Sequence, residues 1–97
     1  MTIRMKYKID YTSNFKKQHK KLKKQGKDLN KLYDIIKKLA NGEKLEEKYK
    51  DHNLRDNKVY KNCRECHIEP DWLLVYQIED NELILLLFAT GSHSDLF

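Results

Sequence analysis

Long apolar runs are missing from this chain. Nothing approaches the roughly 20 consecutive apolar residues of a membrane span, and Arg4, Lys6 and Lys8 break up the N-terminal stretch where a signal peptide would carry its apolar region. The expectation is a cytosolic protein with no membrane partner. Its two cysteines should then be reduced rather than bridged. Internal repeats, low-complexity tracts and room for a second domain are also lacking, since 97 residues build a single core. Proline occurs once, at Pro70. It removes a ladder donor and fixes φ, so it marks the place where a strand has to stop.

What the chain has in excess is lysine. The whole sequence carries 20 Lys and Arg against 15 Asp and Glu, a net of +5, and the distribution is lopsided. Residues 1–50 hold 16 basic and 6 acidic side chains, a net of +10, while residues 51–97 hold 4 and 9, a net of −5. A basic first half fits a phosphate-rich partner, with an ordinary solvated lysine face as the competing explanation. The 39% apolar content, arranged periodically, argues for a folded domain.

Ile3, Met5, Tyr7 and Ile9 alternate with Arg4, Lys6 and Lys8, the pattern of a half-buried strand over Ile3 to Asp10. Thr12 or Ser13 can cap a helix that stops near Gly26. The apolar side of this helix is thin, with Phe15, His19 and Leu22. Its polar side carries Lys16, Lys17, Lys20, Lys21, Lys23 and Lys24, with Lys27 just beyond. Like charges four residues apart cost an isolated helix about 0.2–0.5 kcal/mol per pair, and a polyanion would relieve that.

Asp28 can cap a second helix with a strong stripe of Leu29, Leu32, Ile35, Ile36 and Leu39, ended by Asn41-Gly42. Residues 43–57 lack periodicity and read as a long loop holding Lys50, Asp51 and His52. Strands are expected from Tyr60 to Ile68, Trp72 to Glu79 and Glu82 to Thr90, with a turn at Asp80-Asn81. Leu83 to Ala89 is apolar throughout, as in a strand covered on both faces. One strand, two helices and then an antiparallel meander make an α+β domain.

Chemistry-bearing residues gather around the Pro70 corner. On the strand before it, alternation puts Cys63, Glu65 and His67 on one face and Arg64, Cys66 and Ile68 on the other. Cys63-Arg64-Glu65-Cys66-His67 matches the c-type haem attachment pattern. Cysteines pointing to opposite faces cannot share a metal or a disulfide, and neither an export signal nor an axial methionine motif accompanies them. Core packing is the better reading for Cys66.

Beyond His19, which fits a structural role, three histidines remain: His52 in the loop, His67 near the corner and His93 near the C-terminus. Histidine suits both halves of acid–base chemistry near neutral pH. Metal-free RNA cleavage needs a base for the 2′-OH, an acid for the departing 5′-oxygen and a cation for the phosphoryl charge. His52, His67, Asp71 and His93 can supply the proton transfers. A zinc site built from the same side chains is the rival, weakened by their wide spacing.

Three motifs carry a family resemblance. Arg64-Glu65-Cys66-His67-Ile68-Glu69-Pro70-Asp71-Trp72-Leu73-Leu74-Val75-Tyr76 resembles the central signature of the YafQ branch of the RelE toxin superfamily. Tyr49-Lys50-Asp51-His52 and Thr90-Gly91-Ser92-His93-Ser94-Asp95-Leu96-Phe97 resemble its flanking motifs, in the same order and spacing. The resemblance implies a RelE-like fold and a metal-independent, cofactor-free endoribonuclease. Such a toxin enters the ribosomal decoding site, cuts the bound mRNA there, and pairs with a small DNA-binding antitoxin bearing an acidic wrapping segment.

It further implies His93 as general acid, Asp71 as general base, and His52 and His67 as orienting or electrostatic groups. RNA contacts would come from Lys16, Lys17, Lys20, Lys21, Lys24 and Lys50. Phe97 would stack on a base or anchor the tail, and Trp72 would pack. The sequence departs from the pattern at one place. Ala89-Thr90-Gly91 stands where the family has Arg-Thr-Gly, so the phosphate-stabilising cation is missing, whether in a naturally weakened toxin or through a deliberate change. Arg64 and Lys50 are the candidate substitutes. A non-catalytic ribosome- or RNA-binding protein of the same fold is the alternative.

Overall fold

The computed structural model describes residues 5–55 and 57–97. Its elements are β1 (Lys8–Tyr11), α1 (Ser13–Lys24), α2 (Leu29–Ala40), a 3₁₀ turn (Glu47–Tyr49), β2 (His52–Asn53), β3 (Arg64–Glu69), β4 (Trp72–Glu79), β5 (Ile84–Gly91) and α3 (His93–Leu96). The five strands form one sheet in the order β1-β5-β4-β3-β2.

Local chemistry sets the helix ends. The Thr12 hydroxyl accepts the Phe15 N–H at 3.0 Å and donates to the Phe88 carbonyl at 2.7 Å, so the cap of α1 also ties the helix to β5. The Asp28 carboxylate caps α2 through the Asn30 N–H at 3.1 Å. Both helices close with the same reversal. Gly26 (φ +76°) and Gly42 (φ +79°) adopt the left-handed conformation, and the amides of Lys27 and Glu43 bond back to the carbonyls of Leu22 and Lys38.

The two helices cover one face of the sheet. Phe15 and Leu22 of α1, with Leu32, Ile35, Ile36 and Leu39 of α2, pack against Cys66, Trp72, Leu74, Tyr76, Leu85 and Leu87. A smaller cluster sits on the opposite face: Cys63, Leu73, Val75 and Ala89 under Tyr60 and Leu96. Alternation along β3 and β4 therefore supplies two cores, and the site develops beside the smaller one.

Several expectations need correcting. β1 pairs parallel to β5, so the sheet is mixed and only β2 to β5 run antiparallel. The first strand is shorter than Ile3 to Asp10: Tyr7 is buried just before it and Met5 is exposed, while Ile3 and Arg4 lie outside the described residues. The 43–57 segment is not one loop, since it holds the 3₁₀ turn and β2. β3 starts at Arg64 rather than Tyr60, because the Asn57 side chain binds the amides of Val59 and Tyr60 and holds them in a turn. β5 is covered on both faces only toward its C-terminal end, where Ala89 is buried on the face opposite the helices. Leu85 and Leu87 are buried on the helix side, whereas Ile84, Leu86 and Phe88 are half-buried and Leu83 is exposed.

Candidate active site

The site forms where β3 turns into β4 and α3 returns to meet the corner. β3 and β4 pair through His67↔Leu73, after which a register shift between His67 and Glu69 leads into the Pro70 corner. α3 is fixed at its first turn by a reciprocal cap. The Ser92 hydroxyl accepts the Asp95 N–H at 3.2 Å, and the Asp95 carboxylate accepts the Ser92 N–H at 3.1 Å; the Ser92 side chain, and then its backbone amide, hold that carboxyl below the usual aspartate range. Leu96 plugs the smaller core, so His93 stays at the surface with its backbone position determined.

The four acid–base candidates fall into two contact sets, Asp71 with the His93 backbone and His52 with His67 across Glu65. The Asp71 carboxylate accepts the His93 backbone N–H at 3.0 Å, which joins corner to helix and leaves its second oxygen free. Nδ1 of His67 lies 3.3 Å from the Pro70 carbonyl, and Nδ1 of His52 lies 2.7 Å from the Lys50 carbonyl. A carbonyl only accepts, so each Nδ1 carries a proton, and Nε2 is the nitrogen left for chemistry. Both Nε2 atoms face one group: Glu65 Oε1, at 3.4 Å from His67 and 3.9 Å from His52.

Glu65 is the candidate site residue that sequence reasoning passed over. Alternation placed it on the face of His67, but nothing marked it as a partner of His52, since β2 was not foreseen. Glu65 is 4% exposed, and its carboxylate lies between the two imidazoles.

The loop carrying His52 is tied from behind. Asp51 accepts the Tyr76 hydroxyl at 2.6 Å and the Arg64 Nε and Nη2 atoms, each at 3.3 Å. Burial, and then the Asp51 bond, push the Tyr76 hydroxyl well up. Arg64 also bonds Asn53, so its guanidinium is engaged on the helix side of the sheet, away from His67.

Position 89 falls on the site face, in the row His52–Glu65–Val75–Ala89 rather than in the His67–Leu73–Gly91 row. Ala89 is fully buried beneath Tyr60 and Leu96. Trp72 packs as expected, 1% exposed, with Nε1 donating to the Thr90 hydroxyl at 3.0 Å. Phe97 is half-exposed; its ring centroid is 5.1 Å from that of His93 and 5.5 Å from that of Tyr60, while Leu96 anchors the tail. His19 bonds Tyr33 at 2.7 Å beside Phe15, a structural placement.

Cys63 and Cys66 are buried in different cores, on opposite faces. Burial raises the Cys63 thiol to about 11 and the Cys66 thiol further, so neither is poised as a nucleophile or a haem anchor. Among the described residues no group of three or more His, Cys, Asp or Glu is arranged to hold a metal ion. No helix among them is long and apolar enough to cross a membrane.

Lys16, Lys17, Lys20 and Lys24 are exposed on α1, and Lys21 reaches Asp95 at 3.6 Å, which brings the lysine face alongside α3. Lys50 is exposed on the His52 loop with φ +49°.

Comparison with known proteins agrees along most of the chain. Residues 7–97 match the family model described as the bacterial toxin of type II toxin–antitoxin systems, YafQ. The mRNA interferase toxin YafQ of Escherichia coli strain B / BL21-DE3 is 39% identical over 90 residues, 92% of this chain and 94% of that protein. A metal-bound toxin from Helicobacter pylori superposes with a TM-score of 0.87 at 46% identity, covering 94% of this chain and 99% of the other. YafQ in the E. coli DinJ-YafQ complex gives 0.84 at 38% identity, covering 94% and 98%. The chain belongs to the YafQ family of bacterial toxins from type II toxin–antitoxin systems.

Proposed function

We propose that this chain is an endoribonuclease that cuts mRNA in the ribosomal decoding site, held in check by a cognate antitoxin. The observation that supports this reading is the bond from the His93 backbone N–H to the Asp71 carboxylate, which ties the residue proposed as acid to the corner that carries the residue proposed as base. Its E. coli relative bears the name mRNA interferase toxin.

The free oxygen of Asp71 takes the proton from a ribose 2′-OH. The O2′–P bond forms as the P–O5′ bond breaks, and His93 gives its proton to the departing 5′-oxygen. Glu65 orients His67 and His52, whose Nε2 atoms line the same face. No step calls for a metal. The phosphoryl charge is the weak point: Arg64 is bound to Asp51 and Asn53, so Lys50, which lines a cleft with His67, is the cation at hand. With Ala89 in place of arginine, cleavage is slow. The same substitution, buried and uncharged, favours a second reading as a ribosome-binding protein that does not cut.

The lysines of α1 (Lys16, Lys17, Lys20, Lys21 and Lys24) would meet ribosomal RNA, and Phe97 would stack on a base beside His93. A small DNA-binding antitoxin with an acidic segment complements the basic surface; the E. coli relative was solved with DinJ. The test compares mRNA positioned on programmed ribosomes with the same mRNA free in solution. Cleavage at one place in the ribosome-bound message, and little in the free one, is expected. Equal cutting of free RNA would overturn ribosome dependence.

A further inference from the structure

A cleft of about 440 Å³ opens beside His67, lined on its far side by Lys31, Asp34, Lys48, Tyr49 and Lys50. It exists because β2 pairs with β3 at Arg64 and Glu65, so from His67 to Glu69 the outer edge of β3 has no strand beside it among the described residues. Glu69 bolts the floor in place, bonding Lys31 at 2.8 Å and Lys27 at 3.3 Å. These contacts spend one carboxylate and two lysines on structure. Asp34 forms one wall, which leaves the Lys48–Lys50 side as the place for an anion.

We infer that this cleft is a nucleotide subsite next to the scissile linkage, with the Tyr49 ring as the stacking surface for its base and Lys48 and Lys50 as the grip on its phosphate. The inference rests on the nuclease reading above and deepens it. Tyr49 is half-buried, so its ring is held rather than swinging in solvent. Lys48 Nζ lies 5.1 Å and Lys38 Nζ 5.7 Å from the ring centroid, and among the described residues the Lys48 ammonium is otherwise tied only to Glu46 at 3.9 Å. A base can displace so exposed an ammonium cheaply, and the freed charge then serves the phosphate.

Lys50 adds a link to the catalytic face. It occupies the left-handed conformation (φ +49°, ψ +42°), unusual for a side chain of this size. That turn aims its carbonyl at His52 Nδ1, while its side chain lines the cleft. Basic groups with an interposed aromatic surface are the general means of holding single-stranded RNA, and each stacked base adds about 1–3 kcal/mol.

The test uses the intact chain and uncleavable 2′-O-methyl oligoribonucleotides, a dinucleotide and trinucleotides extended at either end. Binding is measured with amide chemical shifts mapped in parallel. One of the trinucleotides should bind about tenfold tighter or better than the dinucleotide and shift the amides of Tyr49, Lys50 and Glu69. Tyr49→Phe should keep that gain, Tyr49→Ala should lose it, and Lys50→Gly, which tolerates the left-handed backbone, should lose part of it. The subsite is overturned if the gain survives Tyr49→Ala, or if the added nucleotide leaves the cleft amides still while those of Asp71 and His93 move. If neither region responds to any oligonucleotide, the subsite is overturned, while the nuclease reading is judged separately by cleavage on programmed ribosomes.

Discussion

On the proposed mechanism, Ala89 is the residue on which the rate turns. A preorganised cation at the phosphoryl group typically contributes roughly 10²- to 10³-fold, and position 89 lies on the face that carries Glu65 and His67. Ala89→Arg is therefore expected to raise single-turnover cleavage on programmed ribosomes by a large part of that factor, with little change in ribosome affinity. The new side chain must pass from beneath Tyr60 and Leu96, so its thermal melt is measured beside that of the parent. An arginine variant that folds normally and cuts no faster would remove position 89 from the reaction. At this scale alternation was legible, since Glu65 and His67 share a face of β3 as expected, and the Pro70 corner meets the C-terminal helix through Asp71 and the His93 backbone. Glu65 was missed because its significance depends on His52, a residue 13 positions away brought alongside by a two-residue strand too short for any periodicity to reveal.

Among the elements, α1 joins two roles. Its buried side is only Phe15 and Leu22, and its exposed lysines adjoin α3 through Lys21 and Asp95. Reversing charge at Lys20, Lys21 and Lys24 should weaken ribosome binding and flatten its dependence on salt, since fewer counterions are released. An unchanged affinity across a salt series would leave these lysines as a solvated face. The β3 end offers a pH test. The hydrogen bond from Lys31, then that from Lys27, holds the Glu69 carboxyl below its ordinary 4.5. Its folded pKa being the lower, the unfolded chain takes up the proton first as pH falls. That contribution to stability is present above about pH 4.5 and is lost on acidification. Glu69→Gln should therefore be less stable than the parent at pH 6, and the gap should close toward pH 3. A constant gap would assign the loss to packing. The α2 stripe and the β4 limits were legible, because periodicity reports burial directly. The parallel pairing of β1 was not, because an amphipathic pattern states which side chains face inward and says nothing of strand direction.

On the scale of the whole molecule, a single sheet separates two functions. Helices and the larger core fill one side, and the other keeps a small core at one end so that His52, Glu65, His67, Asp71 and His93 can share an open face. The division follows from alternation: on β4 both faces pack, one into each core, while on β3 Cys66 and Ile68 pack on the helix side and Glu65 and His67 lie on the other. Composition showed the asymmetry of charge, and the fold converts it into a lysine helix standing beside the acid–base corner. The most direct trial of this arrangement is His93→Gln, made in the Ala89→Arg background if that variant proves the faster, with cleavage and ribosome binding measured on the same programmed ribosomes. Removing the general acid should slow cleavage by roughly 10²- to 10⁴-fold while binding stays within about twofold. A variant that still cuts at the parent rate, or one that loses binding as completely as cleavage, would contradict the role given to His93.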